Sequence, residues 1–133
     1  MLNQVHLEGY TTNKTWQYSG DTFFRLAVYR DPDLPRKEAE PNGHTDYVTV
    51  RIPAGTMLLA DQLRAGLRLQ VHGWLESRQY SETLAEFLER ADARVELGDV
   101  DPAGIAVKRS SDWVVATRIL QVAENEGNNR TTA

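Results

Sequence analysis

Five stretches of the chain alternate apolar and polar side chains at every second residue, the signature of strands with one buried face. In the first, residues 2–10, Val5, Leu7 and Gly9 fall on one side and Gln4, His6, Glu8 and Tyr10 on the other. The second runs from Thr22 to Arg30, with Phe24, Leu26 and Val28 on one face and Phe23, Arg25, Ala27 and Tyr29 on the other. The third, Asp46 to Pro53, turns Val48, Val50 and Ile52 inward and Tyr47, Thr49 and Arg51 outward. The fourth is the longest: Leu67, Leu69, Val71, Gly73 and Leu75 share a face opposite Arg68, Gln70, His72, Trp74, Glu76, Arg78 and Tyr80. A β-branched, apolar fifth stretch covers Trp113 to Val122, and Trp113 is assigned to the core.

The segments between them read differently. Thr11 to Asp21 is polar apart from Trp16 and Tyr18 and ends in the turn signal Ser19-Gly20-Asp21, which predicts a loop or hairpin. Asp31 to Thr45 holds Pro32, Pro35, Pro41 and Asn42-Gly43 and predicts a long exposed loop. Met57, Leu58, Leu59 and Leu63 have the spacing of a short helix, which Gly66 is placed to end in the left-handed conformation. Over 81–112, Leu84, Phe87, Leu88, Ala91 and Val95 follow helical spacing with Glu82, Glu86, Glu89 and Arg90 opposite, which predicts an amphipathic insertion. Residues 124–133 read as a short polar, disordered tail.

The order β-β-β-α-β-β is that of an all-β, five-stranded OB-fold, a Greek-key barrel with a helix between strands three and four. The expected organisation is one domain, 1–123, with an insertion at 81–112 between strands four and five.

Composition narrows the function classes. Hydrophobic residues make up 41% and charged residues 26%, values of an ordinary globular domain. No apolar run reaches the length of a membrane span and no signal peptide is evident, so a cytoplasmic protein is expected. Cysteine is absent, which excludes disulfides and thiolate metal sites. His6, His44 and His72 are scattered, and no nucleophile, base or phosphate loop accompanies Asp99 and Asp101, so neither a metal, a cofactor nor an enzyme is expected. The formal charge is −4, yet residues 1–80 carry nine Lys and Arg against nine Asp and Glu, and 81–133 carry six against ten. The acidic excess belongs to the later part, which leaves room for a basic groove on the first.

Several segments resemble the bacterial-type single-stranded DNA-binding proteins. Asn3-Gln4-Val5-His6-Leu7-Glu8-Gly9 is similar to the family's Asn-x-Val-x-Leu-x-Gly start, Phe24-Arg25-Leu26-Ala27 resembles its second strand, and Thr45-Asp46-Tyr47-Val48-Thr49-Val50 its third. Leu63 to Gly66 with Val71 through Tyr80 is similar to its Leu-x-x-Gly, Val-x-x-Gly and Leu-x-Thr-Arg-x-Trp sequence. The resemblance covers residues 3–80 and resumes at 113–122. It implies that Tyr47 and Tyr80 stack on bases, while Arg25, Arg51 and Arg78 on the same outward faces either neutralise phosphates or pair with a carboxylate such as Glu76. Tyr29 and Thr49 share those faces. Pro53 stands at one family stacking position and the Asp31-Pro32-Asp33 region at another, for which Trp16 and Tyr18 are candidate replacements.

The implied partners are single-stranded DNA and further copies of the chain, as a dimer or tetramer. The family's acidic, phenylalanine-ended tail has no counterpart here, so the resemblance does not extend to recruiting replication proteins. A divergent member protecting DNA in replication, recombination or repair is one expectation. The other is an interaction module, primosome-like or regulatory, acting through the insertion.

Overall fold

The computed structural model of the protein describes residues 1–38, 43–56 and 62–123. The chain divides into two compact units, one formed by Met1–Glu76 with Trp113–Ala133 and the other by Ser77–Asp112. Five strands, β1 (Val5–Tyr18), β2 (Asp21–Tyr29), β3 (Thr45–Ile52), β4 (Arg68–Thr83) and β5 (Ala106–Gln121), form a closed barrel in the order β1-β2-β3-β5-β4. β3 and β5 run parallel, with Val50 opposite Val114, whereas β1 pairs antiparallel with both β2 and β4 and β2 pairs antiparallel with β3. This is the all-β OB-fold that the strand order implies. The short helix expected over Met57 to Leu63 falls on 57–61, outside the described residues, as does the tail from 124.

Alternation explains the core. Phe24 and Leu26 from β2, Val50 and Ile52 from β3, Leu69 and Val71 from β4, and Val114, Ala116 and Ile119 from β5 fill the barrel, with Leu67 beside them. Leu63 packs against this cluster, and Gly66 adopts φ +86°, the left-handed turn that its position demanded. Thr11 fastens that turn: its backbone pairs with Gly66 and Leu67, and its hydroxyl accepts from the Leu67 N–H at 2.8 Å.

Four expectations are narrowed or corrected. Of the loop or hairpin expected from Thr11, the structure has the hairpin: β1 runs on to Tyr18 and turns into β2 through Ser19 and Gly20, both with positive φ, at the turn signal read in the sequence. Its side chains are exposed on both faces from Asn13 on, so no apolar alternation betrays it. Leu75, expected inside, is 49% exposed. Pairing with β1 ends at Gly73 opposite Val5, and beyond it the Leu75 backbone is held by the Asn3 side chain, which accepts from its N–H at 2.8 Å and donates to its carbonyl at 2.9 Å. Trp113 is not part of the core: Val114 and Ala116 point inward, and the intervening register sends Trp113 to the outer face.

The fourth concerns the insertion. β4 continues to Thr83 and β5 starts at Ala106, so strand residues extend into both ends of the 81–112 segment and its non-strand part is 84–105. Its helix α1 (Leu84–Arg90) is shorter than the apolar spacing to Val95 predicts. A capping box starts it, with the Thr83 hydroxyl accepting from the Glu86 N–H at 3.1 Å and the Glu86 carboxylate accepting from the Thr83 N–H at 3.3 Å. A Schellman arrangement ends it: Asp92 has φ +52°, its N–H donates to the Glu89 carbonyl, and the Ala93 N–H donates to the Leu88 carbonyl. Within this unit Arg90 and Arg109 flank the Phe87 ring at 5.6 and 5.3 Å and both pair with Glu82. Phe87, Leu84 and Leu88 are half-buried, so no fully exposed apolar stripe remains on α1.

Candidate nucleic-acid interface

The outward residues of β1, β2 and β3 are set side by side by the ladder. Trp16 lies opposite Phe23, Phe23 opposite Arg51, Arg25 opposite Thr49, and Ala27 between Tyr10 and Tyr47. At about 3.3 Å per residue, the strip from Phe23 to Tyr29 is roughly 20 Å long.

Midway along it is a cavity of about 410 Å³ lined by Thr12, Asn13, Lys14, Arg25 and Tyr47. Tyr47 is 43% exposed. The Arg25 guanidinium donates to the Thr49 hydroxyl at 2.8 Å, which fixes its direction without cancelling its charge. Among the described residues neither Lys14 nor Arg25 has a carboxylate within ion-pair distance. An aromatic ring next to two uncompensated cations suits a base and its phosphates.

Arg51 stands in a different environment. Its Nε donates to Asp21 at 2.6 Å and a terminal nitrogen donates to Glu76 at 2.8 Å. The Asp21 carboxyl lies below its ordinary range, first because the Ala54 N–H donates to it at 2.7 Å and second because Arg51 does. The Arg51 guanidinium is correspondingly pushed further toward its charged form, chiefly by Asp21. Glu76 also accepts from the Trp113 Nε1–H at 2.5 Å. Of the two roles open to Arg51 in the sequence, carboxylate pairing is the one observed.

Around this network are the aromatics. Trp16 stacks on Phe23 with centroids 5.6 Å apart and planes 7° off parallel, and Phe23 meets Trp113 edge-on at 5.3 Å and 73°. Trp16 is 40% exposed, and Tyr18 and Tyr29 are more so. Tyr29 contacts Tyr10 at 5.8 Å, beside a cavity lined by Glu8, Gly9, Tyr10, Tyr29, Asp31 and Arg68.

Arg78 and Tyr80 belong to the other unit. There Tyr80 lines a cavity of about 430 Å³ with Gln79, Ser81, Lys108, Arg109 and Ser110, while Arg78 is exposed. Of the nine residues singled out in the sequence, Tyr47 and Arg25 share one cavity with Thr49 adjoining, Trp16 and Arg51 flank Phe23, and Tyr80 has its own cavity. Lys14, Trp113, Lys108 and Arg109 were missed. Lys14 and Trp113 lie in stretches that the sequence reads as loop and core, and the basic pair Lys108-Arg109, which precedes the last strand as read from sequence, lies within β5. No group of three or more potential metal-ligating side chains occurs among the described residues.

No protein-family model matches the sequence, and no curated protein matches it. Solved structures do match in fold. The SSB of Plasmodium falciparum, solved in complex with ssDNA, superposes with a TM-score of 0.53 over 92% of this chain and 97% of its own, at 14% identity. The mitochondrial single-stranded DNA binding protein of S. cerevisiae gives 0.54 over 92% and 96%, at 9% identity. The small single-stranded DNA-binding protein of Streptomyces coelicolor gives 0.50 over 92% and 96%, at 21% identity. The barrel described above is therefore the fold of single-stranded DNA-binding proteins, the same group that the motifs from Asn3 to Tyr80 resemble.

Proposed function

We propose that this protein binds single-stranded DNA with little sequence preference and protects it during replication, recombination or repair. The carrying observation is the Tyr47 cavity, where an exposed ring, Lys14 and Arg25 line one groove on a barrel of this fold. Tyr47 stacks on a base, any base, because each presents a π-face, at about 1 to 3 kcal/mol per base. Lys14 and Arg25 neutralise the flanking phosphates and release their counterions. Tyr80, with Lys108 and Arg109 in the same cavity, serves a further nucleotide in the same way.

The action is binding rather than catalysis. A homo-oligomer is part of the same proposal. The first half of β1 pairs with β4 along one edge, while pairing with β2 begins only at Tyr10, so the other edge of residues 5–8 is offered to a second copy. A DNA-coating role places the protein in the cytoplasm, on the nucleoid. No helix among the described residues is long and apolar enough to cross a membrane.

Titration of labelled oligo-dT at rising salt tests the proposal. Binding that weakens steadily with salt is expected, and no binding at micromolar protein contradicts it. Light scattering at tens of micromolar tests the assembly, where a monomer refutes it.

A further inference from the structure

We infer that the outer face of the barrel is divided into a phosphate-binding half, around Lys14, Arg25 and Tyr47, and a phosphate-excluding ledge of Trp16, Phe23 and Trp113 that receives bases only. The inference rests on the face being the single-stranded DNA interface and adds a polarity to it: which part of the strand meets the backbone and which meets the bases.

The charge distribution carries the argument. At the ledge one guanidinium, Arg51, is held between two carboxylates, Asp21 at 2.6 Å and Glu76 at 2.8 Å, so the cluster carries one net negative charge. Among the described residues, a phosphodiester brought there meets two anions and a guanidinium already paired to both. Two residues along β2, Arg25 presents a cation with only a hydroxyl on it. The two environments differ in sign on the same strand face, a difference a backbone of regularly spaced negative charges must follow.

The rings supply what the ledge does offer. Phe23 is only 5% exposed and serves as the pillar, with Trp16 against its face and Trp113 at its edge. Trp113 is held by its indole N–H on Glu76, and Glu76 is held by Arg51, which Asp21 anchors to the Ala54 amide. The chain of contacts fixes a tryptophan whose hydrogen-bonding group is already satisfied, leaving only its ring for a ligand. Arg51 and Glu76 are positioning residues here, and Trp113 is a stacking residue in a place where the sequence pattern reads as core.

Oligo-dT and an abasic strand of equal length and charge, each titrated over a salt series, separate the halves. The unaltered protein must bind oligo-dT; if it does not, the underlying reading falls and the ledge with it. Trp16→Ala, at an exposed ring, is expected to weaken oligo-dT about 5- to 150-fold with an unchanged salt slope, and to leave the abasic strand unaffected. Lys14→Ala with Arg25→Ala is expected to weaken both strands and to flatten the slope by about 1.4, at about 0.7 per phosphate on a single strand. In a protein carrying Trp16→Phe and Trp74→Phe, Trp113 is the remaining tryptophan of three. Its fluorescence is expected to be quenched by oligo-dT and not by the abasic strand. A Trp16→Ala protein that binds oligo-dT as before, or one whose salt slope changes, overturns the division while leaving DNA binding standing. So does a Trp113 signal indifferent to both strands.

Discussion

Arg51→Met separates a brace from a phosphate ligand. The substitution keeps the length of the stem and removes two ion pairs, to Asp21 and to Glu76. The three side chains are 28%, 13% and 26% exposed, between the surface case, where such pairs contribute about 0 to 1 kcal/mol, and the buried case, where breaking one costs about 3 to 5 kcal/mol. Each carboxylate retains another donor, Ala54 N–H for Asp21 and Trp113 Nε1–H for Glu76, which limits the loss. A cost of about 2 to 3 kcal/mol follows. In urea unfolding, with a slope of about 1 to 3 kcal/mol per molar, the midpoint should fall by roughly 0.7 to 3 M at unchanged slope. The salt dependence of oligo-dT binding should stay as steep as in the unaltered protein. A stability loss below about 0.5 kcal/mol, together with a salt slope flattened by about 0.7, would show that Arg51 contacts a phosphate and refute the reasoning.

Tyr47→Ala should weaken oligo-dT binding about 5- to 150-fold by fluorescence titration while leaving the melting temperature nearly unchanged; an unaltered affinity removes Tyr47 from the interface. Gly73→Ala places a methyl 2.0 Å from the Val115 carbonyl oxygen and 2.9 Å from its carbon, both backbone atoms that cannot turn aside. The expected loss exceeds about 4 kcal/mol, and a normal thermal melt would contradict the closeness of β4 and β5 there. Asp21 and Asp46 both have carboxyls below their ordinary range, Asp46 chiefly through the Arg30 guanidinium. Because the unfolded chain takes up their protons first, stability should be level near neutrality and fall once the pH drops below about 4. Asp21→Asn should make that acid limb shallower, and an identical limb counts against the linkage.

Most of the barrel was legible because its inward residues belong to strands with one dry face. Phe24, Leu26, Val50, Ile52, Leu69 and Val71 alternate with polar neighbours, and period two identifies them directly. The second half of β1 was hidden for the opposite reason. From Asn13 to Tyr18 it buries neither face, and its ladder with β2, interrupted after Thr11, resumes only at Thr15, so hydrophobicity carries no trace of it. Trp113 was misplaced because Trp113-Val114-Val115-Ala116 is apolar throughout, and a continuous run does not reveal which parity faces inward. The site was legible in its parts and not in its charge. Tyr47 and Arg25 could be assigned to one face from alternation, but the pairing of Arg51 with Asp21, thirty residues earlier in sequence, is a property of the closed barrel.

The most direct measurement of the central claim is the salt dependence of oligo-dT binding, read by anisotropy and compared with a duplex of the same length. The account predicts affinity for the single strand that falls linearly in a log–log plot as salt rises, and only weak binding to the duplex, whose bases are stacked on one another and closed to Tyr47. Equal affinity for the two, or none for either, would contradict it.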